Sequence, residues 1–338
     1  MTQGGSYGRV VTYLDLDVDI LSGDVVSSRF KNTLVDRDAS VTPHYGVQAV
    51  VEAYASNIAP LAEQPAATLL GPALNVPLAA AAPVGGVTGE KPAGDLMADA
   101  MLAATSEPGF GEARIALLNP GGARADYASP NGSYPFVLSY ADLYKAQPFG
   151  NHLVTMSLTA QQLKDALEMQ FPGGGCVTPS GVNRQSAVKV LQPSNGFSFS
   201  WSASAPACRK IVEASLTVYA ADGAALEREL IVSGGEVVNP GAVFRVTVND
   251  FMAGGGDNYA VFALGGKPLV GIRDVEATLR YLARFRSPSA GMIRMRLFCM
   301  RRGCLSCRKK LLLLPSAAQA GLASKALTWA CTIVSVFE

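Results

Sequence analysis

The chain has 338 residues, 49% hydrophobic and only 16% charged, which is enough for one large domain or two modest ones with a proper core. The net charge of +1 hides an asymmetry: residues 1–278 hold 17 basic and 26 acidic side chains, while residues 279–338 hold 11 basic and one acidic. An acidic body has no long-range attraction for nucleic acid, which excludes that class of partner and leaves any bound phosphate to local arginines. The low charge and abundant Ala, Val, Gly and Pro suggest a GC-rich bacterial source.

The first residues show no charged region followed by an apolar one, so no secretory leader is visible. Tyr7 to Val18 alternates and reads as a strand with one wet face, and Gly23-Asp24 turns it into a second strand, Val25 to Lys31. From Pro43 to Ala62, Val47, Val50, Val51, Tyr54 and Ile58 fall at helical spacing. His44 stands at the start of that helix, with no second histidine nearby to make a metal pair. Residues 66–87 are rich in Ala, Pro and Gly and read as an extended segment, after which Thr88 to Ala104 is predicted helical with Leu96, Met97 and Leu102 inward.

The stretch from Asn119 to Asn151 concentrates the chemistry. An apolar run, Ile115 to Leu118, meets Asn119, Pro120, Gly121 and Gly122 before Arg124, which describes a buried strand entering a turn whose glycines admit positive φ and close backbone approach. The stretch closes on KAQPFGN, with Phe149 between Pro148 and Gly150, ahead of the alternating run His152 to Leu158. A guanidinium turn and an aromatic turn suit a planar, anionic ligand; the bland alternative is two ordinary turns with Phe149 in the core.

Thr159 with Gln162 forms a capping-box pattern for a helix reaching Phe171, in which Leu163, Ala166, Leu167 and Gln170 share a face and Lys164 and Glu168 form an i, i+4 pair. Leu191 to Ser200 is read as a strand entered through a turn at Asn195-Gly196, with Phe197 in the core. Leu216 to Tyr219 and Leu230 to Val232 are short strands around a turn at residues 221–224, and Val243 to Val248 is a further strand. The run Val246 to Phe251 is strand-like and ends in FMAGGGDNY, where a triple glycine clears room and Asp257 offers an acceptor to a ligand hydroxyl or an arginine. Val275 to Phe285 is an amphipathic helix.

Taken in order over about residues 7–285, NPGGARADY, PFGN followed by an amphipathic helix ending in ALE, LQPS-N-G and NDFMAGGGDNY resemble the C-terminal, substrate-binding domain of the 5'-nucleotidase and UDP-sugar hydrolase family. The resemblance implies an α+β fold of mixed sheets layered with helices. Residues 1–42 then correspond to the last β-hairpin of a metallophosphoesterase domain truncated at its N-terminus, 43–65 to a linker helix, and 66–286 to the C-terminal domain. It further implies that Phe149 and Phe251 sandwich a base and that Asn119 and Arg124 contact the sugar or phosphate side. Asn151 and Asp257 bond base or ribose polar atoms, and Gly196 marks a backbone contact within Ser194 to Gly196. Gly94 and Asp95 face the site, while the family's arginine seven residues before that glycine is here Val87.

The function implied is the nucleotide- or nucleoside-recognition part of a 5'-nucleotidase-like hydrolase of nucleotide catabolism. The alternative class is a non-catalytic nucleoside-binding or interaction module, or an inert remnant of a disrupted gene. Family members hydrolyse phosphate monoesters with two divalent metal ions held in the N-terminal domain by Asp-x-His, Gly-Asp-x-x-Asp, Asn-His-Glu and a later histidine pair. This chain has only His44 and His152 and none of those motifs, so it is expected to hold no cofactor and to be inactive alone. Members are often periplasmic, cell-surface or secreted, but nothing visible here assigns a compartment.

Residues 287–338 fit none of this. Charge balance, cysteine density and periodicity all change, which favours an unstructured or frameshift-like tail over a zinc site at Cys304 and Cys307, since a closed site needs a second paired knuckle. The apolar stretch 326–337 is shorter than the roughly 20 residues a membrane span needs. In the body, Cys176 and Cys208 are either a disulfide or two separate thiols.

Overall fold

The computed structural model describes residues 8–35, 42–71, 89–220 and 223–284, with two further strands at 295–299 and 309–313. The chain divides into two units, residues 1–60 and 61–338. In the first, β1 (Val10–Val18) and β2 (Val25–Leu34) form an antiparallel hairpin with Val10 opposite Leu34. Its connection is held by Asp19, whose Oδ1 accepts the backbone N–H groups of Leu21 and Ser22 at 2.9 and 2.8 Å, and by Gly23 at φ +74°. Helix α1 (Tyr45–Ala62) carries the predicted apolar stripe, yet no residue of the helix is buried, and Val47, Val50, Val51, Tyr54 and Ile58 are all exposed. The spacing dictates the helix; it does not dictate a partner for the stripe.

The second unit is α+β. It contains β3 (Pro65–Leu69), α2 (Pro92–Thr105), β4 (Ile115–Leu118), β5 (Phe136–Ser139), α3 (Tyr140–Ala146), β6 (His152–Thr159) and α4 (Ala160–Glu168). A small hairpin of β7 (Val177–Thr178) and β8 (Gly181–Val182) follows, then β9 (Gln192–Pro193), β10 (Phe197–Trp201), β11 (Ile211–Tyr219), β12 (Ala225–Ser233) and β13 (Glu236–Val237). The unit continues with β14 (Val243–Asn249), the short helix α5 (Asp250–Ala253), β15 (Gly266–Arg273) and α6 (Asp274–Ala283). Within the tail read as unstructured, β16 (Met295–Cys299) and β17 (Lys309–Leu313) pair antiparallel; the CxxC cysteines and the stretch 326–337 lie outside the described residues.

A five-stranded sheet, ordered β15-β6-β14-β4-β9, divides the core. Its β14–β4 pair is parallel and its other pairs are antiparallel. β4 is buried throughout because it is covered on both faces: Ile115 and Leu117 belong to one cluster, Ala116 and Leu118 to the other. The first cluster fills the space between the sheet, α4 and a four-stranded sheet ordered β10-β11-β12-β13. The second packs α2, α3, α6 and the β3–β5 pair on the opposite face. Phe197, Phe199 and Trp201 all turn toward the first cluster, as their alternation requires, with the Phe171 ring tilted against Trp201 at 4.8 Å between centroids.

Several local readings hold and several change. The capping box at α4 is present, with Gln162 N donating to Thr159 Oγ1 at 3.1 Å and Thr159 N to Gln162 Oε1 at 2.9 Å. The pair expected of Lys164 and Glu168 does not form. Glu168 is buried and accepts the backbone N–H groups of Lys210 and Ile211, each at 2.9 Å, because the end of α4 packs on the start of β11, where those amides need an acceptor. The run read as strand through Phe251 stops at Asn249, whose side chain accepts Met252 N and starts α5. Helix α3, with its own Ser139–Asp142 capping box, occupies part of the stretch taken for turns, and edge strand β15 has no clear alternation. Cys176 and Cys208 form a disulfide with their Cα atoms 6.2 Å apart.

Candidate functional site

The loop after β4 is a 3-10 turn, Pro120–Gly122, and neither of its glycines has positive φ, contrary to the reading from sequence. Close approach alone explains Gly122: a Cβ there would lie 2.8 Å from Leu118 and 2.9 Å from the Asn119 side chain. Asn119 is buried at 3% exposure and fully engaged. Its Nδ2 donates to Asp257 Oδ2 at 2.6 Å and its Oδ1 accepts Asn249 Nδ2 at 3.0 Å, which ties the first motif to the last. Arg124, three residues on from Gly121, donates toward the Gly121 carbonyl at 3.5 Å and lays its guanidinium over the Phe149 ring, 5.6 Å from the centroid.

Asp257 sits in the left-handed region at φ 55°, followed by Asn258 at φ 65°. Asp and Asn are the non-glycine residues that tolerate this conformation best, which explains why they follow the glycines. Its Oδ1 takes Lys189 Nζ at 2.7 Å and its carbonyl accepts Gln185 Nε2 at 2.9 Å. The loop therefore carries a part-buried chain of Asn119, Asp257 and Lys189 rather than a free carboxylate. Behind it, burial, and secondarily the Asp257 charge, pushes the Tyr259 phenol well up, and its hydroxyl donates to the Lys189 carbonyl. Of the triple glycine, Gly256 is the one with no room: a Cβ would meet the Phe251 carbonyl at 2.5 Å and its ring at 2.6 Å. Phe251 thus lies directly against the Asp257 loop.

Phe149 and Phe251 are 55% and 50% exposed and belong to neither core cluster, so the bland alternative of a core Phe149 does not hold. Two chains of contact join them. One runs Phe149, Arg124, Gly121, Asn119, Asp257, Gly256, Phe251. The other runs from Phe149 through Gly150 and Asn151 to His152, whose backbone N–H donates to Asp250 Oδ2 at 3.0 Å, next to Phe251. Asn151 faces α6: its carbonyl accepts Asp274 N at 2.9 Å, and its side chain acts to lower the pKa of the Asp274 carboxyl. Burial raises that carboxyl to about 6, with Asp250's charge adding to the rise.

Six of the seven residues singled out from sequence fall on these two chains. The seventh, Gly196, does not. It stands at φ +90° in the β9–β10 turn, where a Cβ would meet the Thr217 carbonyl at 2.6 Å, and its own carbonyl accepts Thr217 N at 2.9 Å. That packing accounts for the glycine without a ligand. Ser194 is spent on Ala116, and Gly94 accommodates the Gln192 side chain, which would come within 2.5 Å of a Cβ. Val87 lies outside the described residues. Sequence reasoning missed Lys189, Asn249, Gln185, Asp250 and Asp274, although Lys189 stands just ahead of LQPS and Asn249 and Asp250 open NDFMAGGGDNY.

A dinuclear metal centre does not fit the residues present. Among the described residues no group of three or more His, Cys, Asp or Glu is placed to hold a metal. The His44 imidazole accepts Val47 N at 3.4 Å, and His152 Nδ1 lies 3.7 Å from Asp250 Oδ2. A cavity of about 420 Å³ opens between α2, α6 and β15, and none of the seven residues lines it. No helix among the described residues is long and apolar enough to cross a membrane.

The family defined as the 5'-nucleotidase, C-terminal domain, matches residues 76–264, more than half of the chain. The chain belongs to that family. Among curated proteins it is 27% identical over 297 residues to the endonuclease YhcR of Bacillus subtilis, covering 86% of this chain and 20% of that protein. It is also 27% identical over 178 residues to the trifunctional nucleotide phosphoesterase protein YfkN of the same organism, covering 52% and 10%. The chain thus spans a fifth or less of the length of these relatives. In fold, this member of the family resembles the 5'-nucleotidase precursor from Thermus thermophilus, with a TM-score of 0.54 at 24% identity over 83% of this chain and 48% of that one.

Proposed function

We propose that the chain is the nucleotide- or nucleoside-recognition part of a 5'-nucleotidase-like hydrolase, with the base held between Phe149 and Phe251. The observation that carries this reading is that two phenylalanines about a hundred residues apart stand half exposed outside the core and are linked by a chain of ring and polar contacts through Arg124, Asn119 and Asp257 and by the His152–Asp250 hydrogen bond between their loops. Exposed aromatic faces cost solvation and gain from stacking, at about 1–3 kcal/mol per base. Arg124 meets the phosphate or sugar side, Asn151 and Asp257 offer polar atoms to the base or ribose, and buried Asn119 holds Asp257 in place from behind. Membership of the family and the nucleotide phosphoesterase named among its relatives support the substrate class. In this reading hydrolysis would call for a metal-bearing domain, since among the described residues no His, Cys, Asp and Glu are grouped to hold a metal.

The test is a titration of the full chain with adenosine and AMP. Phe149→Ala and Phe251→Ala are each expected to weaken binding by about 5- to 150-fold, the equivalent of 1–3 kcal/mol, with stability held within about 1 kcal/mol. Absence of binding by the unaltered protein, or a stability loss of about 3–5 kcal/mol typical of a core phenylalanine, overturns the reading.

A further inference from the structure

The loop that carries Phe149 has little regular structure to hold it. Helix α3 closes at Gln147, Gly150 takes φ +64°, and the β6 ladder begins only at His152. On the other side, β14 leaves the ladder at Asn249, opposite Leu153. The residue after it, Asp250, continues the pairing through its side chain: Oδ2 accepts the His152 backbone N–H at 3.0 Å, with the imidazole Nδ1 3.7 Å from the same oxygen. One carboxylate therefore links residues adjacent to Phe251 and three beyond Phe149.

Asp274 holds the same loop from α6 through its backbone. Its N–H donates to the Asn151 carbonyl at 2.9 Å, while its carboxyl takes the Val275 N–H at 2.8 Å. Two other residues of the sequence motifs converge behind it. The Thr278 hydroxyl lies 2.6 Å from Gln147 Oε1 and 3.2 Å from the Asp274 carbonyl, and buried Tyr127 feels the Asp274 charge. Burying the Asp274 carboxyl, at 2% exposure, costs solvation, and such a cost is characteristic of a site where position matters more than stability.

We infer that Asp250 and Asp274 are positioning residues for the Phe149–Asn151 loop, Asp250 pinning it to the turn bearing Phe251 and Asp274 tying it to α6, and that together they set the spacing at which a base is held. The inference rests on the nucleoside-binding reading for its ligand, and on the hydrogen bonds themselves for its mechanics.

Both parts are tested on the full chain by calorimetry with adenosine and by amide hydrogen exchange across residues 147–153 and at residue 274. Asp250→Ala is expected to weaken adenosine about tenfold through lost preorganisation. It should also raise exchange at His152 about tenfold while moving the melting temperature by no more than about 2 °C, because the Asp250 side chain is 44% exposed. Asp250→Asn retains an acceptor oxygen and is expected to restore both readings to within about threefold. At the buried site the near-isosteric Asp274→Asn is used, with raised exchange expected at the amide of residue 274 itself, which donates to the Asn151 carbonyl, together with weaker adenosine binding. Exchange like that of the unaltered protein in Asp250→Ala, or an Asp250→Asn variant no better than the alanine, overturns Asp250's role; unchanged exchange and affinity in Asp274→Asn overturns Asp274's. If Phe149→Ala binds adenosine as well as the unaltered protein, the base-stacking reading fails while the exchange data still decide whether the loops are pinned.

Discussion

Asn119 and Asp257, 138 residues apart, meet through a 2.6 Å hydrogen bond from Nδ2 to Oδ2. That bond joins the first glycine-rich motif to the last, while the Asn119 Oδ1 accepts Asn249 Nδ2 at 3.0 Å. Asn119→Ala strands both partners and is expected to cost about 1–3 kcal/mol in urea denaturation. Asn119→Asp keeps the shape but sets two carboxylates against each other and should cost more. An Asn119→Ala variant as stable as the unaltered protein would show that the bond contributes little.

Gly256→Ala places a methyl group against the Phe251 carbonyl and ring. Phe251 must move, so adenosine affinity is expected to fall at least as far as in Phe251→Ala, with stability lowered by about 1–3 kcal/mol from overpacking. A crystal structure of the variant with an unmoved ring would contradict this.

Asp274 gives the stability a pH dependence of definite sign. Burial and Asp250 raise its folded value from 3.8 to about 6, opposed by the Val275 hydrogen bond and the Asn151 side chain. The folded chain therefore keeps a proton that the unfolded chain releases, and the stabilisation is complete below about pH 3.8 and lost as the pH rises through about 6. The loss is on the order of 2–3 kcal/mol. Urea midpoints between pH 4 and 7 are expected to decline less steeply in Asp274→Asn; parallel profiles would remove Asp274 as the cause.

The Cys176–Cys208 bridge closes a separation of 32 residues around the β7–β8 hairpin and β10. Replacing both cysteines by serine is expected to lower stability by about 2–4 kcal/mol, and reductant should do the same to the unaltered protein. A denaturation curve insensitive to reductant would argue against the bridge.

The purified chain supplied with Mn²⁺, Co²⁺ or Zn²⁺ is expected to release no phosphate from AMP above blank, because the metal-binding motifs of the family are missing from its sequence. Metal-dependent release that co-purifies with the protein would overturn this.

Sequence alone determined the local events and the family. The Thr159–Gln162 cap, the doubly buried β4 run, the Phe197–Phe199–Trp201 face and the four motifs are each set by neighbours within about a dozen residues, where periodicity and turn chemistry act directly. They also picked out Phe149, Phe251, Asn119, Arg124, Asn151 and Asp257. Only the tertiary structure decided what those side chains do. Asp257 answers to Lys189 and Asn119, Glu168 to the amides of β11, and Asn151 to Asp274, partners 68, 138, 42, 43 and 123 residues away that no local pattern announces. A buried polar group takes whichever donor the packing brings to it, and packing is a property of the whole chain. For the same reason the helical spacing of α1 was legible while its exposure was not: periodicity states which face is apolar, and only the remaining chain settles whether anything covers it.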